Sequence, residues 1–391
     1  MVENIQDYFQ YLYTSFFESG NTPGRLTGRR LGVIGFVFLV YPLWVVYLGV
    51  GYLLDEIFFR GYHRRELEEP IFIIGNFRSG TTFLHRLLLE DEQNTGIRTW
   101  EIYFAPSVSY RKLIDWVRKV SRMIGSPIRW LVNRFDESLN EYSYMHKTGM
   151  RQFEEDSHLF YHLWSSYNLF ALFPFPKFAR KYIYYDQLVS PARRRFESSY
   201  YRNLIKRHLH FHGGGRYISK NPDFSPMVRT LLEQFPDAKF INIIRDPRRV
   251  VPSTINMWAN HWHTFGNPEE AYPLQDTLLD HIKHWYRYPH EVLKDLPDDR
   301  YAVIYFEDFV ADPQKEIEYL YNRFEMEVSP EFRDILAFQT QRSRNYRSNH
   351  NYSLDKIGLD PEVISREISP LLEIYRPGDS LRSREPELMR G

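Results

Sequence analysis

Ile71-Phe72-Ile73-Ile74-Gly75-Asn76-Phe77-Arg78-Ser79-Gly80-Thr81-Thr82 joins a short β-type run to a glycine-bracketed loop, and an apolar helical pattern follows. A strand, loop and helix in this order make a holder for phosphate. The loop N–H groups and the helix N-terminus converge on one point, where their partial positive charge favours an anion. Gly75 and Gly80 let the backbone turn tightly, and Ser79, Thr81 and Thr82 add hydroxyl donors. The nucleoside-triphosphate version of this loop reads GxxxxGK[ST]. The glycine spacing matches, but Thr81 stands where the lysine belongs and the cation is Arg78, inside the loop. Such a loop makes a poor ATPase. It suits a nucleotide with one 5′-phosphate and a different leaving group.

A second stretch works with the first. Lys239-Phe240-Ile241-Asn242-Ile243-Ile244 reads as a buried strand and runs into Arg245-Asp246-Pro247-Arg248-Arg249, with Ser253 beyond. Over roughly residues 70 to 360 the chain resembles the sulfotransferases that use 3′-phosphoadenosine 5′-phosphosulfate, in their bacterial branch. There a (K/R)SGTT loop grips the 5′-phosphosulfate and an RDPR…S segment grips the 3′-phosphate. The resemblance implies a P-loop-like α/β domain of three layers around a central parallel sheet. It implies Arg78, Ser79, Gly80, Thr81, Thr82, Arg245 and Ser253 as donor contacts, with Arg347 as a further phosphate contact. Arg98-Thr99-Trp100-Glu101 follows the loop helix much as a catalytic glutamate does in the similar tyrosylprotein branch, which makes Glu101 the first choice for the base. Lys220, in Ser219-Lys220-Asn221-Pro222, resembles a lysine that stabilises the leaving group there. Glu155 and His158 are the rival bases, because an acidic segment lines the acceptor pocket in many bacterial relatives and animal enzymes use a histidine.

Sulfuryl transfer needs a gripped donor, a base for the acceptor hydroxyl, and cations where charge develops on the bridging oxygen. Arg78 suits the last task through its planar paired donors, and no metal is demanded. Two other groupings draw attention. Glu154, His158 and His162 would share one face of a helix, and His208, His210 and His212 precede Gly213-Gly214-Gly215. Neither has a recognised ligand pattern, and no metal is expected. Two rival functions remain open. One is a small-molecule or nucleotide kinase, disfavoured by Thr81 at the lysine position. The other is a non-catalytic membrane adaptor that keeps the nucleotide fold.

The 391 residues with 43% hydrophobic content provide for one large domain with an appendage, or two small domains. Fifty basic and fifty acidic residues cancel, so the chain is no general nucleic-acid binder. The lack of cysteine excludes disulfides and thiolate metal sites and favours a reducing compartment. Oligomeric state has no signature.

Leu31 to Leu54 is 24 residues without a charge, long enough to cross a bilayer's hydrocarbon core of about 30 Å. The expected organisation is a polar or amphipathic segment (1–30), a spanning or re-entrant segment kinked at Pro42 (31–54), a catalytic domain (70–360) and a charged tail (361–391). A buried core helix is the other reading of 31–54. Arginines at 25, 29 and 30 balance those at 60, 64 and 65, so orientation is undecided. The donor is made in the cytoplasm, so a catalytic domain facing the cytoplasm is expected; a type II Golgi enzyme is the alternative. The membrane segment, with the aromatic run Tyr167 to Phe175 resting at the interface, points to a membrane-borne hydroxyl (or amine) acceptor, such as a lipid or glycolipid. Deleting residues 1–54 would then release an intact catalytic domain.

Overall fold

Strand β1, Ile71–Gly75, sends alternate side chains into two different cores. Phe72 and Ile74 join one cluster, and Ile71 and Ile73 join the other. A strand buried on both faces needs an unbroken apolar run, and this one has it. Four more strands, β2 (Asn94–Thr95), β3 (Arg216–Lys220), β4 (Lys239–Ile244) and β5 (Tyr301–Tyr305), complete a parallel sheet in the order β2-β3-β1-β4-β5. Residues 1–123, 134, 149–344 and 354–375 are described by this computed structural model. The fold is α/β, with a helical layer on each face of the sheet.

The chain leaves β1 towards β3 on one side and leaves β4 towards β5 on the other. The crevice at the carboxyl ends of β1 and β4 is therefore the topological switch point, where open α/β sheets bind their ligands. The glycine loop after β1 and Arg245 after β4 are brought to it.

Helix boundaries follow the sequence closely where caps are plain. Asp246 caps Pro247–Phe265 by accepting from the Arg248 N–H at 2.8 Å, and Ser190 caps Pro191–His212. A basic amphipathic helix runs from Val108 to Met123. Pro361–Glu367 returns to the larger core, where Ile364 and Ile368 are buried.

The N-terminal segment is no loose appendage. Helix α1, Val2–Phe17, lays Asp7 against Arg193 at 2.6 Å, and Asn4 donates to Glu197 at 2.6 Å. Helix α2, Gly28–Phe58, contains the uncharged run and is moored to the α/β domain at both ends and in the middle. At its start the buried Arg30 donates to the carbonyls of Phe265 and Leu172. Midway, Trp44 donates to the Tyr103 carbonyl at 2.8 Å and Tyr47 to that of Phe104 at 2.6 Å. Near its end the fully buried Asp55 accepts from Arg207 at 2.9 Å and from the backbone N–H groups of Val108 and Ser109. A helix tied this way cannot cross a bilayer without carrying charged parts of the α/β domain into the hydrocarbon. By length and composition the helix is still a candidate span, which is weak evidence for membrane association, and the mooring shows what a span would carry with it. It is not a core helix: only Arg30, Ile34, Phe38, Leu48, Gly51 and Asp55 are buried. The stretch from Tyr167 to Phe175 also departs from expectation. Tyr167, Leu169, Phe170, Phe173 and Phe175 are buried in the protein, so this stretch is core rather than membrane-facing.

Candidate active site

The glycine loop is built as its sequence demands. Gly75 adopts φ +140° and Gly80 φ +94°, regions open to glycine. A Cβ on Gly80 would lie 2.2 Å from the Phe306 ring, so the loop rests directly on that ring. Arg78 also adopts a positive φ, +67°, unusual for a long side chain and typical of strain held at functional sites. Two contacts hold it there. Its Nε donates to Ser253 Oγ at 3.0 Å, and its carbonyl accepts from Arg245 Nη1 at 2.7 Å. The Arg245 guanidinium carbon sits over the same Phe306 ring, 4.2 Å from its centroid. The two sequence motifs thus meet as one unit. Thr81 begins helix α3, Thr81–Leu88, whose N-terminus faces the loop. Ser79 Oγ and Arg245 Nε are buried polar atoms without a protein partner among the described residues, which fits a site built for an anionic ligand.

Beside this unit, β3 delivers Lys220. Its ammonium pairs with Glu155 at 2.7 Å and reaches Thr82 Oγ1 at 3.4 Å. The position of Glu155 is set by its neighbour. Asp156 is buried and accepts from Tyr201, Tyr217, Asn221 and, at 2.9 Å, Ser219. Ser157 N–H donates to Asn221 Oδ1 at 2.8 Å. These bonds pin the segment to the end of β3. The expected α-helical face of Glu154, His158 and His162 does not form: a 3₁₀ helix, Asp156–Leu163, starts after Glu154. His158 faces the cavity, with Nδ1 3.0 Å from the Tyr103 hydroxyl, whereas His162 turns inward to Tyr200 and the Ile102 carbonyl.

Loop, Glu155 and His158 line one cavity of about 1460 Å³. Pockets for one small ligand run to about 300–1,000 Å³, so this one admits a nucleotide and a second molecule together. Arg78, Gly80, Thr81, Thr82 and Arg245 form its polar end. The rest is largely apolar and aromatic, with Phe36, Val37, Val40, Tyr41 and Trp44 supplied by α2 and Met257, Trp258 and Phe265 by the helix after β4. Sequence reasoning missed α2 as a wall of the site. The signal was present in Val37, Tyr41 and Trp44, one helical stripe carrying two hydrogen-bonding aromatics.

Glu101 must be reassigned. It is fully buried and does not line the cavity. One carboxylate oxygen lies 2.8 Å from His212 Nε2, 3.5 Å from Arg111 Nε and 3.6 Å from His208 Nδ1, and the other accepts the Arg98 N–H in a capping box. Burial alone would raise its pKa, but Arg111 and the two histidines outweigh it and hold the carboxyl well below the ordinary range. A carboxylate so satisfied and so enclosed is structural. Glu101, His208 and His212 converge as metal ligands do, and the buried Arg111 guanidinium already lies 3.5 Å from the same carboxylate oxygen. His210 does not share in the cluster. Arg347 lies outside the described residues.

Buried neutral histidines give this fold an acid limit. Burial pushes His85 and His162 down to about 3, against 6.5 for the free side chain. The unfolded chain takes up these protons below pH 6.5 and the native state refuses them. Stability is therefore intact above that pH and is lost as pH falls towards 3, by up to about 1.4 kcal/mol per unit for each histidine. Denaturant unfolding at pH 7 and pH 5.5 checks this: His162→Asn is expected to show a shallower fall than wild type, and equal slopes would refute it.

The chain belongs to the sulfotransferase family, whose model matches residues 70–330. Among individual proteins, it is 31% identical over 333 residues to omega-hydroxy-beta-dihydromenaquinone-9 sulfotransferase Stf3 of Mycobacterium tuberculosis and of Mycobacterium bovis, covering 83% of this chain and 78% of the relative. Its fold is that of sulfotransferase STF9 from Mycobacterium avium (TM-score 0.71, 18% identity, 94% of this chain and 90% of that one). Sulfotransferase STF1 from Mycobacterium tuberculosis is also similar (TM-score 0.64, 17% identity, 96% and 92%).

Proposed function

We propose that the protein transfers the sulfuryl group of 3′-phosphoadenosine 5′-phosphosulfate to the hydroxyl of a lipid, at a membrane surface facing the cytoplasm, where this donor is made. The observation that carries this reading is the cavity itself: a phosphate-type loop at one end and an apolar, aromatic wall at the other, with Glu155 between them. The Stf3 relatives, named for a hydroxylated menaquinone acceptor, support the lipid class.

In this reading Arg78, Ser79, Thr81 and Thr82 hold the 5′-phosphosulfate, and Arg245 with Ser253 holds the 3′-phosphate. Glu155 takes the proton of the acceptor hydroxyl as that oxygen attacks sulfur. The bridging S–O bond breaks, and its electron pair leaves on the phosphate oxygen of the 3′,5′-bisphosphate, where Lys220 and Arg78 offset the charge. Glu155 is favoured over His158 because Lys220 links it to Thr82 of the loop. Burial and the carboxylates of Glu154 and Glu155 push the Tyr103 phenol up, and its hydroxyl is hydrogen-bonded to His158 Nδ1 at 3.0 Å.

Incubation with radiolabelled donor and a membrane lipid extract, with accurate-mass analysis of the labelled product, tests the function; a phosphorylated product would point to a kinase. Arg245→Ala is expected to weaken binding of the 3′,5′-bisphosphate by about 1.5–3 kcal/mol and that of 5′-adenylate by less, since only the support of the Arg78 carbonyl is lost there. Calorimetry giving equal losses for both nucleotides would remove the assignment.

A further inference from the structure

Helix α2 carries an apolar stripe that no described residue covers. Leu39, Leu43, Val46, Val50, Leu53 and Ile57 recur at alternating spacings of four and three, and Leu39, Leu43 and Val46 are 70%, 67% and 65% exposed. A helix that is apolar all round belongs in a core or in a membrane, and a long exposed apolar stripe marks an interaction surface. The stripe is continuous with the active-site cavity. Phe36 and Val40 line that cavity and also reach the surface, at 68% and 38% exposed. The cavity therefore opens at the apolar face.

We propose that this face rests on a bilayer with α2 lying along it rather than through it. The cavity mouth at Phe36 and Val40 then admits the acceptor sideways from the hydrocarbon, so that a lipid alcohol reaches Glu155 without passing through water. The acceptor route rests on the lipid reading given above. Charge complementarity selects a bilayer with anionic lipid as the occupant. The helix Val108–Met123, packed beside the C-terminal half of α2, exposes Trp116 and Leu113 together with Lys112, Arg118, Lys119 and Arg122. Apolar and aromatic side chains interleaved with cations are the composition of an interfacial helix on anionic lipid. A second copy of the chain seated on α2 would instead lie across the cavity mouth.

The test uses the full-length protein and a triple variant, Leu39→Glu, Leu43→Glu and Val46→Glu, none of which lines the cavity. Circular dichroism and 3′,5′-bisphosphate binding establish that the variant is folded. Wild type is expected to float with phosphatidylcholine–phosphatidylglycerol vesicles and to sulfate both solanesol embedded in them and geraniol dissolved in buffer. The variant is expected to stay in solution, to keep the geraniol rate, and to sulfate vesicle solanesol at least about tenfold more slowly. A folded variant that floats, or that keeps the solanesol rate, overturns the proposal. So does a wild type that ignores vesicles but forms a dimer, by light scattering, which the variant loses. A wild type that floats yet sulfates neither alcohol supports the docking and overturns the acceptor route together with the lipid reading beneath it.

Discussion

Glu155→Gln is expected to lower kcat by about 10²–10⁴-fold, the span of a positioned general base. Affinity for the 3′,5′-bisphosphate should not change, because Glu155 meets the donor site only through Lys220. The substitution keeps the size of the side chain and the Asp156 bonds that hold the segment in place. What it removes is the proton acceptor and half of an ion pair. Single-turnover kinetics with His158→Asn alongside separates the two candidates. A normal rate for Glu155→Gln with a dead His158→Asn would move the base to the histidine.

Asp55→Ala should cost about 3–5 kcal/mol, since removing one partner of a buried pair strands the other. Here the stranded group is Arg207, and the N–H groups of Val108 and Ser109 lose their acceptor as well. Arg207 retains Tyr62 at 2.7 Å and Glu56 at 3.3 Å, which sets the loss towards the lower end. Against a typical total of about 5–15 kcal/mol this is a large fraction. A denaturation midpoint close to wild type would show that the Asp55 anchor is dispensable to the fold. Deletion of residues 1–54 is accordingly expected to unfold the protein rather than to free an intact catalytic domain: it exposes Trp164 and Phe173 by removing Tyr11, Ile34 and Phe38.

Strands and loop were legible because their signals are local. Gly75 and Gly80 are required by backbone conformation, and the apolar run at 71–74 and the largely apolar one at 239–244 are long enough only for buried strands. Arg78, Arg245 and Ser253 could be paired because the family resemblance assigns their two motifs to one nucleotide. Glu101 misled because a carboxylate after a loop helix has the same local pattern whether it faces a cavity or an internal arginine. Arg111 and His208 decide that, and they come from elsewhere in the chain. Asp156 left no signal at all: its four donors come from one helix and one strand end, beyond any local window. The uncharged run of α2 was plain, but hydropathy has no term for mooring. Its attachment depends on Arg30, Trp44, Tyr47 and Asp55 finding partners across the fold.

The bond from Arg245 to the Arg78 carbonyl joins two grips that a nucleotide would otherwise meet separately. Arg78 holds a backbone angle it would not choose alone, and the residue fixing it is the one assigned to the far phosphate. If the two grips hold one nucleotide as proposed, occupancy at one end would be felt as posture at the other. A truncated adenylate would be both weakly held and badly presented, so the enzyme's selectivity for its donor would be written into turnover as well as into residence time.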